Sequence, residues 1–288
     1  MRSKRHGLAG VTLVAALCVA TGPLAAQEPP PDGWAFRGEL SSLLSMGNAE
    51  AFTFGVGAVL ENRQGKNLLK FEGGGVRTES VIVRREARGT AESFEVVKNE
   101  DREKTAEAYF ARARYDRAVS DVFFLFGGLD WLRNTFAGID SRSQLALGAG
   151  NIWADTETNR FRTSYAATYT LQDDVVENPD VADSFAGVQA GWEYWRRLTG
   201  STEFDSRLVG DLNLDDTDDM RADFTNALTV AMSNTLALKP SVQLQWRNRP
   251  SLTAVPLFTA GGVPLDRSVL TPLEKTDMLF RLALVVRL

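Results

Sequence analysis

Seven charged side chains carry most of the chemistry that residue type and spacing allow. Arg112 and Arg114 stand two residues apart, as do Arg160 and Arg162 and also Glu203 and Asp205, with Glu193 a little upstream. In an extended strand that spacing puts both members of a pair on one face. Four arginines on one part of a curved wall and three carboxylates on another would create a transverse field in the enclosed space. Segregated charge is how pores choose ions. The same groups could instead neutralise one another. Other charged positions share their face, among them Arg37, Glu39, Lys70, Glu72, Asp116, Asp130, Arg142, Arg207, Asp211, Arg221, Asp223, Lys239, Arg247, Asp277, Arg281 and Arg287, and the signs nearly balance. Because unpaired confined charge is costly, a salt-bridged filling that stiffens the wall is the competing reading. Both stay open at this point.

Composition removes most other chemistries. Residues 1–26 read as a cleaved export signal: Arg2, Lys4 and Arg5 precede an apolar stretch from Leu8 to Thr21, and small residues lead to a cleavage site after Ala26. That segment holds His6 and Cys18, the sole histidine and cysteine. The mature chain therefore offers no imidazole base, thiolate, disulfide or His/Cys metal site. Of 32 basic residues it loses Arg2, Lys4 and Arg5, leaving 29 against 37 acidic ones, a net charge of −8 that argues against nucleic acid as a partner. A hydrolase would have to work by carboxylates alone, with Glu193 and Glu203 as its candidates, and no enzyme is expected. Asp211, Asn213, Asp215, Asp216, Asp218 and Asp219 form an oxygen-rich cluster, but it lacks the glycine and distal glutamate of a calcium loop. A solvated loop tip is expected there, with no metal site and no cofactor.

The elements that would hold these residues are β-strands. From Trp34 to Leu288 apolar residues occupy alternate positions in runs of about ten separated by turns, the signature of a membrane-spanning barrel. In the last run Met278, Phe280, Leu282, Leu284, Val286 and Leu288 form one face, while Asp277, Arg281 and Arg287 charge the other. Twelve such strands are expected, with turns at Gly47 and Asn48 and at five short connections on the side of the N-terminus. The opposite side carries long connections, including 77–104 and 248–275. The first of these reads as a surface loop long enough to fold back as a plug. Gly73, Gly74 and Gly75 would permit bending or the close approach of an interior side chain. Trp34, Tyr115, Trp153 and Tyr194 fall near one rim and Trp131, Tyr169 and Trp246 near the other, two bands suited to lipid headgroups. The fold class expected is all-β: a closed antiparallel transmembrane β-barrel of about twelve strands, bacterial outer-membrane type. Residues 1–26 are the signal peptide, 27–33 a Pro-rich periplasmic leader and 34–288 the barrel.

The first hairpin, with Trp34, then Gly38, Glu39 and Leu40, then Gly47 and Asn48, resembles the domain of unknown function 481 (DUF481) family. The Arg114, Tyr115, Asp116 triplet and Arg142 followed by Gly148 and Gly150 add to the likeness. Bacterial members of that family include YdiY-like proteins labelled salt-induced outer-membrane proteins. The resemblance covers the mature chain and brings no catalytic residues. It differs in ending at Leu288, where many such barrels end in an aromatic. The expectations are a monomer in the outer membrane of a Gram-negative cell after Sec-type export, with lipid, lipopolysaccharide and the barrel-assembly machinery as partners. Expected of its role is narrow passive passage of small ions or solutes, with a non-conducting structural or stress-related envelope protein as the alternative and surface binding further behind.

Overall fold

Strands that alternate apolar and polar residues bury neither face alone. Closing them into a ring in lipid satisfies every backbone group and puts the apolar face against hydrocarbon. The computed structural model describes residues 32–45, 50–89, 94–178, 181–258 and 264–287. Its strands are β1 (Gly33–Ser45), β2 (Glu50–Gln64), β3 (Asn67–Gly89), β4 (Phe94–Ala118), β5 (Phe123–Asn134), β6 (Ile139–Asp155) and β7 (Asn159–Asp174). They continue with β8 (Ser184–Arg197), β9 (Thr202–Asn213), β10 (Met220–Ala231), β11 (Leu236–Arg247), β12 (Leu252–Phe258), β13 (Pro264–Pro272) and β14 (Thr276–Arg287). Strands β1 to β11 and β14 form a closed antiparallel barrel of twelve, and β12 and β13 pair only with each other. The ring closes where Arg37 to Leu40 of β1 meet Leu284 to Arg287 of β14.

The expected parity holds around the wall. Trp34, Leu129, Leu147, Trp153, Met278 and Phe280 all point outward and are 60% or more exposed, which only a lipid environment tolerates over so broad a belt. No helix among the described residues is long and apolar enough to cross a membrane. Rim aromatics anchor through polar tips: Tyr115 Oη donates to Asn67 (2.7 Å), Trp153 Nε1 to Thr163 (2.8 Å) and Trp131 Nε1 to Ser141 (3.3 Å).

Glycines admit the interior rings. A Cβ on Gly74 would meet the Phe110 ring at 2.9 Å, and one on Gly150 would meet Phe124 at 2.3 Å, so these positions are hollows for inward aromatics. The first is the close approach expected of the Gly73 to Gly75 run.

Two long connections differ from expectation. The described residues of 77–104 are not a loop: β3 and β4 pair through them to Gly89 and Phe94. Beyond Val81 no described residue on the β2 side pairs with the hairpin. Connection 248–275 likewise contains the β12–β13 hairpin. Both escaped the periodicity reading for the same reason. A strand outside the bilayer needs no apolar face, and the alternation that marks the barrel strands is lost there. The turn expected at Gly47 and Asn48 lies outside the described residues, as does Leu288.

Candidate functional site

Alternate residues on every barrel strand point inward, so the lumen is built in tiers from one short-turn end to one long-loop end. At the short-turn end Arg37 pairs with Glu61 (3.0 Å), Arg287 with Glu203 (3.2 Å) and Lys239 of β11 with Glu39 of β1 (2.5 Å). Arg160 sits at this rim, 3.6 Å from Asp155, with its guanidinium over the Trp195 ring at 4.6 Å.

Next comes Asp116 of β4, whose side chain is only 7% exposed. It accepts from Arg114 Nε (2.7 Å) and pairs with Arg162 of β7, three strands away. The two guanidiniums lie over the Phe126 and Phe124 rings at 4.0 and 4.1 Å. Phe124, Phe126, Ala146 and Ala166 make a small apolar cluster beneath them. Arginine suits this place because its flat cation stacks on an aromatic face while its edge serves a carboxylate. Glu193 stands 3.9 Å from Arg162.

In the middle tier Glu72 of β3 gathers Lys70, Arg112 (3.7 Å) and Arg207 (3.7 Å), and Arg112 also pairs with Asp130 at 2.9 Å. Arg207 belongs to β9, directly opposite β3 in the ring, so this contact bars the full width of the lumen. Above it lies an amide belt. Asp211 accepts from Gln144 (3.1 Å) and Gln189 (3.0 Å), and Asp223 from Gln243 (2.6 Å) and Gln245 (3.0 Å).

The long-loop end is bridged by backbone as well as side chains. Asn134 Oδ1 caps a single 3-10 turn, Thr135–Ala137, and Gly138 ends it at φ +71°, a conformation that favours glycine. Thr135 Oγ1 accepts from Glu107 N and so ties the turn to β4 (2.9 Å). From the opposite wall Ser251 and Leu273 pack against Gly138, where a Cβ would meet them at 2.7 and 2.9 Å. Asn134 Nδ2 donates to Gln245 of β11 (3.1 Å), and Arg247 Nη1 reaches Ser251 Oγ (2.9 Å) and the Ala137 carbonyl (3.5 Å). Ile139 and Ser251 are each 2% exposed, so the contact is packed rather than casual.

The structure thus places the seven charge candidates in separate groups. Arg114, Arg162 and Glu193 meet around Asp116, Arg112 joins Glu72 and Asp130, Arg160 stays at the rim, and Glu203 takes Arg287. Asp205 has no ion pair among the described residues. Asp116, Glu72 and the glutamines that organise these groups were legible only as inward-facing positions. The solvated loop tip expected of the acidic cluster is confined to residues 214–218, because Asp211 and Asn213 belong to β9 and Asp219 is buried against Arg221; in the tip Asn213 Oδ1 accepts from Asp215 N (2.9 Å), and Arg249 pairs with Asp216 (2.5 Å). No group of carboxylates among the described residues is arranged to hold a metal.

Among solved structures the chain is similar to the COG4313 outer membrane channel from Pseudomonas putida F1, with TM-score 0.43 and 10% identity, covering 93% of this chain and 100% of that one. It is also similar to a Pseudomonas aeruginosa FadL homologue, with TM-score 0.35, 12% identity and coverage of 90% and 76%. An anion-selective porin from Comamonas acidovorans gives TM-score 0.36, 9% identity and coverage of 89% and 99%. No curated protein matches. The model of the protein family DUF481, proteins of unknown function, matches residues 38–254, and the chain belongs to that family.

Proposed function

We propose that this barrel is a narrow, closable passage for small ions or polar solutes across a Gram-negative outer membrane. One observation carries the reading. Side chains aimed into the lumen keep much of their surface open to water: Glu193 is 42% exposed, Asp130 38% and Arg207 37%. A barrel filled only for rigidity would pack this volume with apolar groups, because ion pairs rarely stabilise an interior better than hydrophobic side chains of similar size. Width supports passage of small solutes alone, since the Glu72 and Arg207 contact spans the lumen and the Gly138 contact covers the long-loop mouth.

The charge candidates belong to the same proposal. Arg112 and Arg160 bias passing ions, while Arg114 and Arg162, held on their aromatic rings, shape the wall. Orientation follows from loop length: the short turns face the periplasm and the long hairpins face outward. The barrel works as a monomer among lipid and lipopolysaccharide after export and insertion by the assembly machinery. The second reading is a structural envelope protein, and the ion pairs that tie distant strands together are what favours it.

Liposome swelling separates the two. Vesicles carrying the refolded barrel are expected to swell measurably in the smallest polar solutes and not at all in disaccharides. Swelling no faster than that of empty vesicles in every solute would leave the structural role.

A further inference from the structure

We propose that Arg142, Arg221 and Arg247 form a binding site for a small oxyanion or carboxylate in the long-loop half of the lumen. Arg221 and Arg247 are register partners on β10 and β11. Arg221 also stands opposite Asp211 of β9, and Asp211 is gripped by Gln144 of β6, three strands away round the ring. Arg142 lies two residues from Gln144 on the same face of β6, toward the long-loop end. The stagger that carries Gln144 onto Asp211 brings it to the tier of Arg221 and Arg247, four and five strands away round the ring.

Two of the three have no carboxylate of their own, whereas Arg221 is paired with Asp219 and joins the site as part of that pair. Arg112, Arg114, Arg162, Arg207 and Arg287 each have a carboxylate within ion-pair distance. Among the described residues Arg142 and Arg247 have none. Arg142 Nε donates to the neutral Gln172 oxygen (2.7 Å), and Arg247 Nη1 donates to Ser251 and the Ala137 carbonyl. Arg142 Nη2 and Arg247 Nε are buried with no acceptor. The carboxylates that face this tier are already engaged or more distant: Asp219 by Arg221, Asp211 by two glutamines and Asp174 by Gln172. Asp277 of β14 is the register partner of Gln245, and no ion pair among the described residues joins it to Arg247.

Buried guanidinium donors with no acceptor are costly, and guanidinium forks match a ligand with several oxygens. Phosphate and carboxylate share that chemistry. The four nearby aspartates keep binding weak enough for release, as a site within a passage requires. The site stands whether or not the lumen conducts.

Titration of the purified full barrel in detergent with inorganic phosphate at low ionic strength, read by calorimetry, tests it, with acetate as the second probe. Saturable phosphate binding is expected, with acetate weaker if a phosphate-like ligand is the natural one and comparable if a carboxylate is. The double variant R142Q/R247Q should weaken phosphate binding at least about tenfold, two charge-assisted contacts being lost. R37Q, whose arginine is served by Glu61 at the short-turn rim, should leave it unchanged. Circular dichroism and heat-modifiable migration report folding. If the double variant does not fold, R142K provides the reading, because it keeps the charge but loses the fork and should still bind several-fold more weakly. Non-saturable uptake, or binding indifferent to the Arg142 substitutions, would overturn the site. A barrel that binds phosphate yet never conducts would overturn the passage and leave the site standing.

Discussion

Replacing Leu147 with Arg is expected to destabilise the folded barrel by about 2–4 kcal/mol, measured by equilibrium folding titrations in lipid vesicles. Leu147 points outward from the centre of β6, 61% exposed, between Trp153 at one rim and Trp131 at the other. An arginine there must drag its charge into hydrocarbon or thin the bilayer around it. Leu145→Arg should cost less, because Leu145 is the register partner of Tyr169 and lies nearer the headgroups. Gln144→Arg should cost least. Its side chain faces the lumen beside Asp211, which offers the new cation a partner. Equal costs for Leu147 and Gln144 would remove the basis for assigning the two faces.

Asp116→Asn is the largest loss expected inside the lumen, about 3 kcal/mol in the same titration. The carboxylate is nearly inaccessible and serves both Arg114 and Arg162, whose guanidiniums rest on Phe126 and Phe124. An amide leaves both cations against aromatic faces with only Glu193, 3.9 Å from Arg162, to balance them. Asp130→Asn is the contrast, at about 0–1 kcal/mol. Asp130 is more exposed, and Arg112 keeps Glu72 when it is lost. A small effect at both positions would mean that the lumen is wet enough throughout to screen its ion pairs.

Parity carried the sequence reading a long way, and its physical cause explains where it stopped. Met278 to Val286 must alternate because one side meets lipid and the other water, so β14 is visible in the chain itself. Above the membrane that constraint lapses. The β3–β4 extension past Val81 and the β12–β13 hairpin therefore left no periodic trace. The lumen charges were visible as inward positions, but their grouping was not. Glu72 meets Arg207 only because β3 and β9 lie opposite in a closed ring of twelve. Arg142 comes level with Arg221 only through the tilt that carries Gln144 onto Asp211. Such contacts depend on strand number and stagger together, which no local pattern records. The turn over the mouth is similar: nothing local to Asn134 or Gly138 announces that Ser251 and Leu273 will meet it from the other wall.

Single-channel recording in planar bilayers tests the closable passage most directly. The wild-type barrel is expected to show small, intermittent openings, brief because the Gly138 contact must part. Neutralising Arg112 and Arg160 together as R112Q/R160Q should shift the reversal potential in a salt gradient toward cations, since two lumen cations are lost. A correctly folded wild-type barrel that stays silent would contradict the passage, and openings whose ion preference ignores both substitutions would contradict the charge filter.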